Sequence, residues 1–272
     1  MLVSFKRHAA LIAGLALAGL PATVRADLIH RYSFNDKDAV KDSVGHVDGK
    51  LIGAATLDGQ SVVLKNDGKT SDDDTTARVE FDQPILPKSG SASLVVWFKA
   101  SQVDAYSRVL DFGDKEGPGG KAFIYFTPRN ADDQSRAAIT ATDAAAKTAV
   151  NNDRLDDGKE HMVAIVIDGA ARKLHVFIDG KEPTSAEDLG DNTLDKVHPV
   201  KNWLGRSEFD GDPGFTGSID ELRVYDQPLT AADIAAAATA GPDQVPPATA
   251  QPATTTEPAA TTQPSAATQP SK

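Results

Sequence analysis

Residues 162–178 read MVAIVIDGAARKLHVFI, two runs of β-branched and aromatic side chains on either side of the turn signal Asp168-Gly169. Runs of about four to eight such residues, bounded by Gly and Asp, are typical of β-strands. Similar runs recur along the chain, at residues 28–34, 61–64, 77–81, 93–98, 108–112, 122–127, 137–142 and 218–225. No segment of helical length and periodicity lies between them. The pattern predicts an all-β fold, a two-sheet antiparallel jelly-roll sandwich.

One short helix is predicted near the C-terminal end of the sandwich. Thr230-Ala-Ala-Asp233 resembles a capping box, an Ala-rich stretch follows, and Gly241-Pro242 ends it. A capping threonine before such a stretch and a glycine after it are the signals of helix ends. We expect this helix to lie against the edge of the sandwich.

The N-terminus has the pattern of a cleavable signal peptide. Lys6 and Arg7 precede an apolar run at residues 9–20, Pro21 ends the run, and Val24-Arg25-Ala26 places small side chains at −3 and −1 of a cleavage site. The run is shorter than the roughly 20 residues that span a bilayer. We therefore predict a signal peptide at residues 1–26 and export to the periplasm or the extracellular space. The alternative is a buried N-terminal helix. No later segment is apolar enough to act as a transmembrane anchor.

The C-terminal segment changes composition abruptly after Gly241. Residues 242–272 consist mainly of Pro, Ala, Thr and Gln, with Val245 as the one large apolar residue. Such a segment buries too little surface to offset its chain entropy. We predict a disordered tail at residues 242–272, which leaves residues 27–241 as one domain.

Composition narrows the classes of partner. The 272-residue chain has no cysteine and a net charge of −11, and removal of Lys6, Arg7 and Arg25 with the signal peptide takes that charge to −14. This charge argues against nucleic acid, which needs clustered Lys and Arg, and against anionic lipid surfaces. Many carboxylates in an exported protein would suit a divalent cation, although acidic residues also serve solubility.

Several segments share the order and spacing of one family's motifs. Residues 30–34 read HRYSF, residues 42–45 DSVG, residues 91–99 SASLVVWFK and residues 215–225 FTGSIDELRVY. From residue 28 to 240 the chain resembles the LamG-like jelly-roll family of the concanavalin A-like lectin/glucanase superfamily. It departs from the family pattern at Lys159-Glu160-His161, where a Trp-His pair is usual.

The resemblance implies a possible Ca²⁺ ion held by loop carboxylates and backbone carbonyls. Asp36 and Asp42 follow the first strand, and pairing of the first and last strands would bring Asp220 near them. Since Ca²⁺ takes six to eight oxygen ligands, Asp36, Asp42 and Asp220 form the candidate metal site. The alternative is that Asp36 and Asp42 make turn bonds and that Asp220-Glu221 pairs with Arg206 or Arg223.

The superfamily includes glycoside hydrolases as well as lectins, so the fold does not decide the function. Hydrolases of this fold place carboxylates at alternate positions of one strand. Glu208, Asp210 and Asp212 have that spacing, but Gly211 and Pro213 indicate a loop. They are the catalytic candidates that the sequence offers, and the histidines form no catalytic pattern.

Sugar binding needs aromatic faces and planar polar groups. The candidates are Trp203, Phe209, Tyr106 and Tyr125, although Trp203 also suits a core position, and Trp97 lies in an apolar strand and is assigned to the core. We predict a noncatalytic exported module that binds carbohydrate or another envelope component, with Ca²⁺ as a possible cofactor. The alternatives are a glycoside hydrolase and a structural or protein-interaction module of the envelope.

Overall fold

Two antiparallel β-sheets stack on one hydrophobic core in the computed structural model, which describes residues 23–141, 145–182 and 186–252. The predicted two-sheet jelly-roll sandwich with one short helix is confirmed. Strands are numbered in chain order.

The first sheet has seven strands among the described residues, and it carries the candidate site. Its strands are β3 (Gly49–Ile52), β6 (Arg78–Phe81), β8 (Leu110–Gly113), β9 (Phe123–Thr127), β10 (Ser135–Thr140), β11 (Lys147–Asn151) and β15 (Lys201–Leu204). Their spatial order is β11-β10-β9-β8-β15-β6-β3, and every neighbouring pair is antiparallel. The jelly-roll crossover places β15, late in the chain, between β8 and β6.

The second sheet contains the two runs with which the sequence analysis began. Its strands are β2 (Leu28–Tyr32), β4 (Thr56–Leu57), β5 (Val62–Leu64), β7 (Ala92–Ser101), β12 (Asp157–Asp168), β13 (Lys173–Ile178), β14 (Glu187–Asp188) and β16 (Gly217–Tyr225). Strands β12 and β13 form a hairpin from Val163↔Ile178 to Asp168↔Lys173. Strand β16 pairs with β7 along one edge and with β5 and then β2 along the other.

The core fills the space between the sheets because side chains alternate along each strand. Leu94, Val96 and Phe98 of β7 belong to the central cluster, whereas Val95 and Trp97 face the opposite side. Phe98 reaches across to Phe126 of the other sheet, with ring centroids 5.8 Å apart. Because the chain has no cysteine and so no disulfide, the stability of the fold relies on this apolar packing.

Helix α1 (Ala231–Ala240) begins at the predicted capping box. The Thr230 hydroxyl accepts a hydrogen bond from the Asp233 backbone at 3.0 Å, and Asp233 accepts one from the Thr230 backbone at 3.1 Å. The helix packs on the outer face of the second sheet, against a cluster that includes Trp97, and does not lie at the sandwich edge as expected. The reason is that this face is apolar and gains from being covered.

The chain continues in contact with the domain beyond the predicted boundary at Gly241. Arg223 Nη2 donates to the Pro242 carbonyl, and the Thr249 backbone donates to Asp233 at 2.9 Å. Strands β1 (Thr23–Val24) and β17 (Gln251–Pro252) pair with each other. Residues 242–252 are thus held by specific hydrogen bonds, and the rest of the predicted tail, residues 253–272, lies outside the described residues.

The region of the predicted cleavage site lies against the second sheet. Ala26 is 3% exposed, and the Asp27 backbone nitrogen donates to Asp226 Oδ1 at 2.8 Å. Residues 1–22 of the predicted signal peptide lie outside the described residues. No helix within residues 23–141, 145–182 and 186–252 has the length and apolarity to cross a membrane.

Candidate functional site

The outer face of the seven-stranded sheet carries aromatic and charged side chains in place of a uniformly polar surface. Along β9, Ile124 and Phe126 enter the core, so Phe123 and Tyr125 point outward. One row of cross-strand neighbours therefore crosses this face, comprising Glu80, Trp203, Asp111, Tyr125 and Ala138.

An open pocket of about 390 Å³ lies on this face. Four aromatic side chains, two arginines and two aspartates line it, namely Tyr106, Phe123, Tyr125, Phe209, Arg108, Arg136, Asp210 and Asp212. Tyr106, Tyr125, Phe209, Asp210 and Asp212 were candidates from the sequence, and the structure brings these five together. Phe123, Arg108 and Arg136 were missed. The alternation of FIYFT at 123–127 was the available signal for Phe123, because it places that ring beside Tyr125.

The aromatic wall is built from β9 and the loop after β15. Phe123 stacks on Tyr125 with centroids 5.5 Å apart, and Phe209 meets Phe123 edge-on at 5.3 Å. The glycine-rich turn before β9 makes this possible, since a Cβ on Gly119 would lie 2.7 Å from the Phe209 ring. This turn therefore leaves room for the aromatic wall.

The two arginines hold fixed positions against the aromatic rings. The Arg108 guanidinium lies 3.6 Å from the Tyr125 ring centroid, and its Nη2 is 3.1 Å from Asp212 Oδ2. Arg136 Nη2 donates to the Tyr125 hydroxyl at 2.5 Å, and its guanidinium lies 5.2 Å from the Tyr106 centroid. Within the described part of the chain, Arg108 Nε and Nη1 and Arg136 Nε are buried without a hydrogen-bond partner.

The two pocket aspartates are already engaged by neighbours of the same site. Asp212 Oδ2 accepts hydrogen bonds from Ser207 Oγ at 2.7 Å and from Arg108. Burial raises the pKa of Asp212, while Arg108 opposes that rise. Asp210 Oδ1 accepts from Lys115 Nζ at 2.6 Å.

Glu208 is separated from the pocket and forms a buried pair with Asp111. The Glu208 backbone donates to Asp111 Oδ2 at 3.0 Å, and both side chains are fully buried. Burial raises the pKa of Asp111 to about 7, and burial followed by the nearby Asp111 charge raises the pKa of Glu208 to about 9. Glu208 Oε2 would contact a Cβ on Gly113 at 2.6 Å. The alternating spacing of Glu208, Asp210 and Asp212 therefore does not place the three carboxylates in one groove, because the loop turns Glu208 inward.

Trp203, a sequence candidate for ligand stacking, is covered. It is 3% exposed, and its ring lies 4.6 Å from the Arg206 guanidinium carbon, with Arg78 and Lys201 each at 5.8 Å. These cations occupy the ring face that a sugar would need. Trp97 is buried under helix α1, as its assignment to the core predicts.

The three candidate calcium ligands are not brought together. Asp42 is buried, and its carboxylate oxygens already have hydrogen-bond partners. These partners are the His30 ring and the backbone N–H groups of Arg31, Val44, Gly45 and Val47. Asp36 makes a turn bond to the Asp38 backbone at 2.7 Å. Across the ranges the structure describes, no three or more His, Cys, Asp or Glu side chains are grouped to hold a metal ion.

Asp220 and Glu221 have partners within the second sheet. Burial and a hydrogen bond with Glu160 raise the pKa of Asp220 to about 7. Glu221 Oε1 lies 2.6 Å from Nε of both Arg31 and Arg223. The predicted pairing of this segment with Arg223 is therefore found at Glu221.

Comparison with solved structures gives similar sandwiches at low sequence identity. One match is domain 4 of AbnA, a GH43 extracellular arabinanase from Geobacillus stearothermophilus, which was solved with arabinotriose. It is 20% identical to this chain with a TM-score of 0.59, and the match covers 78% of this chain and 98% of that domain. The receptor-binding domain of the botulinum neurotoxin C/D mosaic serotype is 14% identical with a TM-score of 0.58. The botulinum serotype D ligand-binding domain, solved with N-acetylneuraminic acid, is 12% identical with a TM-score of 0.54. Each of the two toxin matches covers 78% of this chain and about half of the toxin domain. At these identities the likeness concerns the fold.

Sequence comparison identifies the family. No curated protein sequence matches the chain. The Laminin_G_3 family model, described as Concanavalin A-like lectin/glucanases superfamily, matches residues 73–235, more than half of the chain and all of the pocket. The chain belongs to the concanavalin A-like lectin/glucanases superfamily.

Proposed function

We propose that this chain is a noncatalytic carbohydrate-recognition module and that the pocket between Tyr106 and Phe209 is its binding site. The observation that carries the proposal is the joining of aromatic faces with fixed planar polar groups in one open pocket. Small-ligand sites combine apolar and aromatic walls with a few convergent polar groups that fix orientation. A sugar ring has an apolar C–H face for the rings and hydroxyls for the guanidinium and carboxylate groups.

The solved neighbours support a saccharide as the ligand class. The arabinanase domain was solved with arabinotriose, and a botulinum ligand-binding domain with N-acetylneuraminic acid. Those ligands belong to those proteins, and they make carbohydrate the first class to test here.

A noncatalytic role fits the state of the pocket carboxylates. Retaining glycosidases need an acid and a nucleophile about 5–5.5 Å apart, both open to the substrate. Asp210 is bonded to Lys115 and Asp212 to Ser207 and Arg108, while Glu208 is buried elsewhere. No described pocket carboxylate is thus left unengaged for catalysis, and hydrolysis remains the alternative that assays must test.

Export is part of the same proposal. It rests on the signal-peptide pattern at residues 1–26, and it would place the module where extracellular or envelope glycans are met. Calcium dependence remains a prediction from the family resemblance.

The proposal is tested by glycan-array screening followed by calorimetry on the wild type, Tyr106→Ala and Phe209→Ala. The matched control is Val200→Ala, an exposed side chain in a separate apolar cleft of about 490 Å³ lined by Pro84, Leu86 and Leu194. That cleft is larger, but it lacks the aromatic walls and the fixed guanidinium groups of the pocket.

We expect both pocket variants to lose affinity by tenfold or more and V200A to bind like the wild type. Absence of binding to any glycan, with or without added Ca²⁺, would overturn the proposal. Loss of binding in V200A alone would transfer the site to the cleft. Release of reducing sugar from a bound polysaccharide would favour the hydrolase.

A further inference from the structure

We propose that the pocket selects sugars that carry a carboxylate and that Arg136 is the group that binds it. The inference rests on the proposed function and adds the class of ligand. The shared chemistry is that of a pyranose bearing one carboxylate, as in a uronic or a sialic acid.

The balance of charge within the pocket singles out Arg136. Arg108 is paired with Asp212, and Lys115 with Asp210. Among the described residues, Arg136 forms no ion pair with a carboxylate, and its charge reaches Asp212 only as a longer-range influence. The pocket therefore contains one cation that no described acidic side chain neutralises by contact.

The position of Arg136 is fixed in advance of any ligand. Its backbone lies in β10, paired with Thr127 on one side and Val150 on the other. The guanidinium is bonded to the Tyr125 hydroxyl and lies 5.2 Å from the Tyr106 ring centroid. A guanidinium held in this way loses little side-chain entropy on binding, which favours ligand recognition.

Unpartnered N–H groups point to an acceptor supplied from outside the protein. Arg136 Nε and Arg108 Nη1 are buried without a hydrogen-bond partner among the described residues, and Arg108 is 3% exposed. Arg108 Nε also makes no hydrogen bond there, although it lies 3.6 Å from Asp111 Oδ2. A buried donor without an acceptor is costly, so native proteins rarely keep one without a reason. A carboxylate can accept two parallel N–H bonds from one guanidinium, whereas a hydroxyl offers a single oxygen.

The other walls of the pocket favour a sugar acid over inorganic anions. Tyr106 and Phe209 offer apolar contact that phosphate or sulfate cannot use. Asp210 and Asp212 would repel a doubly charged anion, yet they can accept hydrogen bonds from sugar hydroxyls. Because the chain has a net charge of −11, it repels anions at long range. The attraction must therefore come from short-range contact with Arg136.

The test measures affinity for acidic sugars against matched neutral forms. The calorimetry ligands are trigalacturonate and its methyl ester, and sialyllactose and lactose, which separate a uronate from a sialate source. The proteins are the wild type, Arg136→Gln, Arg136→Lys and the control Arg172→Gln, which removes an exposed charge in the β12–β13 turn. Circular dichroism checks that each variant is folded.

We expect at least one free acid to bind the wild type and R172Q about tenfold or more tightly than its neutral form. R136Q should bind the two forms alike, and R136K should lie between them, because lysine keeps the charge without the planar fork. Equal affinity for acidic and neutral sugars in the wild type overturns this inference and leaves the proposed function standing. A preference that persists in R136Q overturns the role of Arg136. Failure of every acidic and neutral glycan to bind overturns both.

Discussion

Glu208→Gln should make the protein more resistant to alkaline pH. Burial and the Asp111 charge hold the pKa of Glu208 at about 9 in the folded state, whereas an unfolded chain ionises glutamate near pH 4.3. Between these values the folded protein binds one more proton than the unfolded chain. The free energy of unfolding therefore falls as pH rises, by about 1.4 kcal/mol per pH unit for this one group.

The window from pH 7.5 to 9 isolates this effect best. The pKa values of Asp111 and Asp220 are each raised only to about 7, so most of their change precedes this window. With the flattening near the folded pKa included, Glu208 accounts for roughly 2 kcal/mol of lost stability across the window. Glutamine cannot ionise. From pH 7.5 to pH 9 the free energy of unfolding of E208Q should therefore rise by that amount relative to that of the wild type.

Urea unfolding at pH 7.5 and pH 9, followed by fluorescence of the buried Trp97 and Trp203, measures the difference in unfolding free energy. Taking the difference between two proteins at each pH cancels the titration of shared groups that do not interact with Glu208. Asp111, the neighbour that does interact with it, has mostly ionised below this window. Glu116→Gln, which removes an exposed carboxylate from the loop before β9, is the control and should follow the wild type. Parallel pH dependence in E208Q and the wild type would refute the buried-pair account.

Three further predictions follow from other parts of the molecule. The hydrogen bond with Asp179 raises the pKa of His161, so His161 stabilises the fold most below pH 6.5. Urea unfolding should show that His161→Gln lowers the free energy of unfolding more at pH 6 than at pH 9, and an equal loss at the two pH values would contradict this. Thr230→Ala should lower stability by about 1 kcal/mol and red-shift the emission of Trp97 under helix α1, and an unchanged spectrum would count against that packing. N-terminal sequencing of protein recovered outside the cytoplasm should begin at Asp27, and a start upstream of it would contradict cleavage after Ala26.

The fold was predictable because its signals are local. The alternation and turn dipeptides of residues 162–178 depend on neighbours in the sequence, and the hairpin β12–β13 forms there. The helix cap at Thr230 is equally local and was found at the predicted position. The position of helix α1 depends on the apolar outer face of the second sheet, which comes from several distant strands.

The site was only partly predictable because its character arises from side chains that meet across strands. Tyr106 and Phe209 were identified as aromatic candidates for sugar binding. Arg108 and Arg136 show their role only when β9 places Tyr125 between them. Trp203 was a candidate both for ligand stacking and for the core, and the cations that cover it, Arg206 above all, are placed only by the tertiary fold.

The candidate calcium ligands illustrate the same limit. Asp42 lies in the loop that the sequence indicated, but the loop directs backbone N–H groups at its carboxylate. A sequence shows that a carboxylate is present, whereas its remaining capacity for a ligand depends on the donors that the fold supplies.

A crystal structure of the protein with a bound oligosaccharide chosen from the glycan array tests the central claim most directly. The account predicts a sugar ring against Tyr106 and Phe209 on the outer face of the seven-stranded sheet, with a ligand oxygen bonded to the Arg136 guanidinium. A ligand seated in the cleft beside Val200, or on the face under helix α1, would contradict it.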